Sequence, residues 1–166
     1  MPNAAFLDDI LTKATWCRRD VLDSTLGLAC AIAREGSEGR PIGTLFTIGR
    51  AEAVLQSSRP LILDPLAGHA PRATHIDDPG LRGTVKELAQ LDGGFVVSED
   101  GDVVAVCRYL DLPANSLRLP LGLGTRHLAA AAASRALDII AVVVSQTGVV
   151  RVFYHGHIVA EMQPER

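Results

Sequence analysis

The sequence predicts an α/β domain built on a mixed β-sheet. Two kinds of segment alternate along the chain. Apolar runs of strand length, such as Val142-Val143-Val144, are separated by longer stretches with helical spacing. Between two of the runs, Asp100-Gly101 gives a strong hairpin signal, so part of the sheet is antiparallel. With 166 residues the chain makes one domain of ordinary size.

The elements follow in order. Phe6, Ile10, Ala14, Cys17, Val21, Leu28 and Ile32 recur mostly at spacings of three and four. They predict a single helix over residues 3–34, capped by Asn3, with Asp8 and Asp9 at its positive end and Gly27 loosening its middle. Gly36 and Gly39 lie in the expected stop and loop, residues 35–40. Residues 43–49 read as a buried strand and 51–56 as a short helix. Leu61-Ile62-Leu63 is a short apolar run, and residues 64–80, rich in Pro, Gly and His, form a long surface loop. Residues 81–90 read as a helix. Residues 95–98 and 103–109 form the hairpin, and 111–121, holding Pro113 and Pro120, a loop. Residues 125–136 read as a helix whose alanines, Ala129 to Ala133, allow close packing on the sheet. Strands follow over 139–145, 149–154 and 158–162. The working division is 1–40 for the first helix and linker and 41–166 for the sheet domain, together one compact unit.

Composition narrows the function. Apolar residues make up 48% and charged residues 21%, as in globular proteins. A net charge of −3 argues against strong nucleic-acid binding. Three cysteines without a CxxC pair or a zinc spacing read as reduced thiols in a cytoplasmic protein. No apolar run is long enough to cross a membrane, so none is expected as a partner.

The chemistry concentrates in two stretches. Gly122-Leu123-Gly124-Thr125-Arg126-His127 is a glycine turn opening a helix. Helix N-termini present free N–H groups and partial positive charge, and phosphates bind there. Thr125 adds a hydroxyl, Arg126 a bidentate guanidinium and His127 an imidazole. Upstream, Leu91-Asp92-Gly93-Gly94 sets a carboxylate beside two glycines. A phosphate site with a carboxylate suggests metal-assisted nucleotide chemistry. The plainer readings are a turn cap for Asp92, a helix cap for Thr125, a solvated charge for Arg126 and a packed ring for His127. His69, His75, His155 and His157 read as surface turns, with no metal spacing.

The ordered set Asp92-Gly93-Gly94, then Gly124-Thr125-Arg126-His127-Leu128, then Val144-Ser145-Gln146 resembles the diadenylate cyclase domain family, including the N-terminal module of the DNA-integrity scanning protein. Ile42 to Gly49 resembles that family's first core strand. The resemblance covers roughly residues 41–161. It implies a central sheet of about seven strands flanked by helices. It implies condensation of two ATP into cyclic di-AMP and pyrophosphate between two facing subunits, with Mg²⁺ or Mn²⁺. Asp92 matches the family's metal-binding carboxylate and Ser145 a hydroxyl able to reach the metal or a phosphate. Gly93 matches directly, and Gly94 replaces Ala. Leu91 and Leu123 are assigned to the apolar walls of an adenine pocket, and Gly124 and Thr125 to the phosphates. Leu128 stands where the family is commonly basic, Gln146 where it has Glu, and Arg135 near a usual carboxylate. These departures leave two alternatives open: a nucleotide sensor without turnover, and a structural oligomerisation domain.

Overall fold

In a computed structural model, residues 4–165 are described, so the expected Asn3 cap lies outside the described residues. The helices are α1 (Ala4–Lys13), α2 (Arg19–Glu35), α3 (Ala51–Gln56), α4 (Pro79–Leu88) and α5 (Thr125–Ala136). The strands are β1 (Thr44–Ile48), β2 (Ser58–Pro60), β3 (Gly94–Val97), β4 (Val103–Leu110), β5 (Ile140–Val144), β6 (Val150–Tyr154) and β7 (His157–Met162). They form one seven-stranded sheet in the order β2-β4-β3-β1-β5-β6-β7. β1 and β3 run parallel and every other neighbouring pair is antiparallel, so the sheet is mixed.

Side chains alternate across the strands and divide the core into two layers. Phe46, Ile48, Phe95, Val97 and Val142 face α1, α2 and α4; Leu45, Val96, Ala141 and Val143 face α3 and α5. Phe46 and Phe95 stack across the parallel pair, with ring centroids 4.8 Å apart. On the other layer Ala130, Ala131 and Ala133 are fully buried. Their small side chains let α5 lie close to the sheet, and that closeness brings its first turn to the strand ends.

Besides a 3₁₀ helix, Pro71–Thr74, inside the expected loop, two elements differ from the sequence reading. The first helix is broken. α1 ends at Lys13 and α2 starts after Arg18, which takes an extended conformation. Ala14 and Cys17 lie in the turn between them and still face the core, so the apolar spacing runs on through a bend. The bend sets Trp16 over Gly49, where a Cβ would come within 2.4 Å of the ring. Gly27 does not interrupt α2. The second difference is β2, three residues at the sheet edge just before Leu61-Ile62-Leu63. It has no apolar alternation, and it holds Pro60, as edge strands tolerate.

The long loop before α4 is fastened to the β3–β4 turn by His75. Its Nε2 donates to Asp100 O at 2.8 Å and its Nδ1 meets Asp77 Oδ1 at 2.5 Å. Burial pulls the His75 pKa down, but these two acceptors outweigh it and hold the pKa above its usual value. A raised folded-state pKa stabilises fully below the unfolded value of about 6.5 and loses that stability as pH rises through the folded value. The melting temperature of the native chain should therefore exceed that of His75→Gln most at about pH 5.5, with the gap shrinking toward pH 8.5. A constant gap across that range would remove the imidazolium from the account.

Candidate active site

Asp92 and Gly93 precede β3, Leu45 lies near the start of β1, and Leu110 ends β4. The directions of these strands bring all of them to one end of the sheet, where α5 begins. They line a cleft of about 440 Å³. Its walls are mainly apolar and include Leu45, Leu61, Tyr109, Leu110, Leu112 and Leu128. Asp92, Thr125 and Arg126 form its polar end. A second cleft of about 330 Å³ adjoins it, sharing Thr125 and Arg126 and lined by Gly124, His127, Ser145 and Gln146.

Asp92 is held up by a local backbone device. Gly93 has φ +93°, and a Cβ there would come within 2.6 Å of the Cys107 carbonyl carbon and 2.8 Å of Arg108 N. Cys107 itself has φ +57°, where the β3–β4 register shifts. Only glycine can turn against that bulge. Gly93→Ala should destabilise the fold by roughly 1–3 kcal/mol from backbone strain alone, read as a lower urea midpoint; an unchanged midpoint would show that the turn relaxes freely. Gly94 is also tight: a Cβ would lie 3.1 Å from Leu45 O and 3.3 Å from Leu45 Cδ2. An alanine there requires Leu45 to shift, so Gly94 acts on the packing of a wall residue.

Across from Asp92, α5 opens at Gly124, which is extended at φ −90° and caps with no side chain. Thr125 is therefore the first helical residue and not the cap, and its exposed hydroxyl makes no capping bond. The Leu128 N–H bonds to Gly124 O at 3.2 Å. The N–H groups of Thr125, Arg126 and His127 precede that first intrahelical bond and belong to the helix's unpaired start. Arg126 Nη2 stands 4.0 Å from Asp92 Oδ1, with Asp92 93% exposed. A pair so long and so solvated contributes about 0–1 kcal/mol, and an arriving phosphate can displace it. Gly43 leaves room for this guanidinium, since a Cβ there would lie 3.2 Å from Arg126 Nη1.

Not every expected residue reaches the cleft. Leu91 is exposed, and neither Leu91 nor Leu123 is among the residues lining either cleft. Leu45, Tyr109, Leu110 and Leu112 supply the apolar wall instead. His127 points inward, 6% exposed, its ring centroid 6.2 Å from that of Phe153. Burial first, then Arg151 and Arg126, push its pKa below the usual value, so it is neutral near pH 7. Its Nε2 accepts from Arg151 Nη1 at 3.2 Å, and its Nδ1 is buried without a partner. His127 is thus placed beneath the helix start.

Asp92 lines the first cleft and Ser145 the second, with Thr125 and Arg126 common to both. Ser145 Oγ is 2.9 Å from Thr147 Oγ1 and accepts from Thr147 N at 3.2 Å, closing a turn. Among the described residues no three His, Cys, Asp or Glu side chains gather to hold a metal. A lone carboxylate still fits Mg²⁺ or a similar cation, which commonly binds one or two carboxylates with substrate phosphates and water completing the shell.

Residues missed by the sequence reading come from β4. Antiparallel pairing with β2 turns residues 107, 109 and 111 toward that strand, as Leu61 N to Cys107 O and Asp111 N to Ser57 O show. Arg108 and Leu110 then turn their main chain toward β3. Arg108 pairs with Gly94, the first residue of β3. Leu110 lies one pair beyond, past the start of β3, and lines the cleft. Strand parity, not side-chain type, carries that signal. The Arg108 guanidinium is occupied by Ser58 Oγ, Ser58 O and Leu55 O.

An apolar slot with one polar end, closed by a helix N-terminus and an arginine, defines a nucleotide-binding α/β domain. The family model described as "DisA bacterial checkpoint controller nucleotide-binding" matches residues 31–158. The chain belongs to that family. Its relatives include the diadenylate cyclase of Methanocaldococcus jannaschii, 44% identical over 148 residues, or 89% of this chain and 47% of that protein. A second is the diadenylate cyclase of Haloferax volcanii, 37% identical over 149 residues, or 89% of this chain and 52% of that protein. The chain thus spans about half the length of these curated relatives. Among solved structures, a double mutant of DacA from Staphylococcus aureus shares the fold with TM-score 0.55 at 21% identity, covering 84% of both chains. A hypothetical membrane spanning protein from Bacillus cereus gives TM-score 0.60 at 20% identity, covering 82% of this chain and 60% of that one. In this chain, no helix among the described residues is long and apolar enough to cross a membrane.

Proposed function

We propose that the chain is a diadenylate cyclase, a nucleotidyltransferase that joins two ATP into cyclic di-AMP and releases two pyrophosphates. The observation that carries this reading is Asp92 facing Arg126 at 4.0 Å across the polar end of an apolar cleft. Adenine occupies the apolar walls formed by Leu45, Tyr109, Leu110 and Leu112. The triphosphate lies toward Thr125, Arg126 and the α5 N-terminus. The ribose 3′-hydroxyl comes out near Asp92.

Each 3′-oxygen forms a bond to the α-phosphorus of the other ATP, and the bond from that phosphorus to its bridging oxygen breaks. Asp92 draws the proton from the hydroxyl, and Arg126 offsets charge on the phosphate oxygens. Asp92 would hold a Mg²⁺ or Mn²⁺ ion, which would supply Lewis-acid chemistry at this end of the cleft. One chain offers one such cleft, so ring closure takes two chains face to face, a homodimer or a larger assembly built on it. A cytoplasmic setting accompanies this reading. The thiols of Cys17, Cys30 and Cys107 are buried and free, and burial first, then Asp20 and Glu99, push Cys17 up to about 12.

A second reading has its own observation. Leu128, at a position commonly basic in the family, lines the cleft and brings no charge to a phosphate. It favours a sensor that binds ATP or cyclic di-AMP without turnover. Incubation with ATP and Mn²⁺, with mass detection of product and calorimetry of a non-hydrolysable ATP analogue, separates the two. Product supports the cyclase. Analogue binding without product supports the sensor, and neither leaves only a structural oligomerisation domain.

A further inference from the structure

We infer that Arg135 is a positioning residue that clasps the base-side wall of the cleft. The inference rests on the nucleotide reading of that cleft. Residues 111–124 run from β4 to α5 without helix or strand, and Leu112 and Ala114 line the cleft from this loop. Arg135, in the last turn of α5, donates from Nη1 to Asn115 O at 2.6 Å and from Nη2 to Pro113 O at 2.9 Å. The two carbonyls flank Ala114. The guanidinium fork therefore grips the wall on both sides of the residue facing the cleft. The loop also has a long hydrogen bond of 3.4 Å from Leu117 N to Ala114 O, and Leu112, Leu117 and Leu119 pack against the core.

The arginine is itself aimed by its surroundings. Gly156, in the β6–β7 turn at φ +81°, lies so close that a Cβ would come within 3.1 Å of Arg135 Cβ and 3.6 Å of Leu117 Cδ2. Gly156 N also donates to Ser134 Oγ at 3.1 Å, tying that turn to the adjoining helical residue. One rigid helix thus serves both halves of the cleft. Its first turn carries Thr125 and Arg126, and its last turn, about 15 Å away at 1.5 Å per residue, fixes the loop wall. Lysine is a poor substitute, because a single ammonium on a flexible stem lacks the planar fork that spans two carbonyls.

The test uses the full chain and its Arg135→Ala and Arg135→Lys variants. Amide hydrogen exchange without nucleotide should speed up in residues 112–117 of Arg135→Ala and elsewhere stay unchanged. The KM for ATP should rise about tenfold, equivalent to about 1.4 kcal/mol, with kcat within twofold. Inhibition by inorganic triphosphate, which engages only the Arg126 end, should be unaltered. Arg135→Lys should recover part of the KM. Unchanged exchange in the loop would overturn the clasp. So would a fall in kcat at constant KM, or an equal loss of triphosphate affinity. If the native chain neither binds nor converts ATP, the nucleotide reading fails on its own, and the exchange arm still decides whether Arg135 holds the wall.

Discussion

Asp92→Asn should lower cyclic di-AMP formation by about a thousandfold, within the range of general acid–base effects. Asparagine keeps the shape but cannot accept the hydroxyl proton and is a weaker cation ligand. The effect should be chemical and not structural. Asp92 is 93% exposed and its pairing with Arg126 is long, so unfolding midpoints should stay within about 0.5 kcal/mol of the native chain, as for surface substitutions. Steady-state product detection with thermal melts checks both halves. A fully active Asp92→Asn chain would take away the main chemical role.

Arg126→Ala should weaken ATP binding by about 1.5–3 kcal/mol, the usual worth of a hydrogen bond to a charged group. That corresponds to roughly a tenfold to more than a hundredfold rise in the dissociation constant. Arg126→Lys should recover only part of the loss, because an ammonium cannot bind phosphate oxygens as a fork. Calorimetry with a non-hydrolysable ATP analogue reads the effect. Native affinity in Arg126→Ala would move the phosphates away from the start of α5.

The strands of the sheet interior were legible because they are apolar runs bounded by turn residues. α5 was legible from its glycine turn and alanine run, and it begins and ends where expected. What escaped was set by contacts distant in sequence. The break at residues 14–18 hides inside an apolar spacing, because the bend keeps Ala14 and Cys17 facing the core. β2 is held by its pairing with β4 and not by its own pattern.

The same limit applies to the site. Asp92, Thr125 and Arg126 could be chosen from residue chemistry next to glycine turns. Leu91 and Leu123 adjoin those motifs in sequence but do not line the cleft, which draws its apolar wall from β1, β4 and the loop after β4. The inward turn of His127 follows from helix phase: it sits three residues before the buried Ala130. Arg135 looked only like a departure from a family pattern, since its partners are main-chain carbonyls twenty and more residues away.

The central claim is that two such clefts, one from each of two chains, close a ring between two ATP molecules. Its most direct measurement is mass-detected product and released pyrophosphate from ATP and Mn²⁺ across a range of protein concentrations, alongside molar mass by light scattering. The expected result is cyclic di-AMP with two pyrophosphates per ring, and a specific activity that rises with the dimer fraction. A chain that remains monomeric throughout and makes cyclic di-AMP at constant specific activity would contradict the facing-pair mechanism, and a dimer that binds ATP without forming the ring would contradict the cyclase.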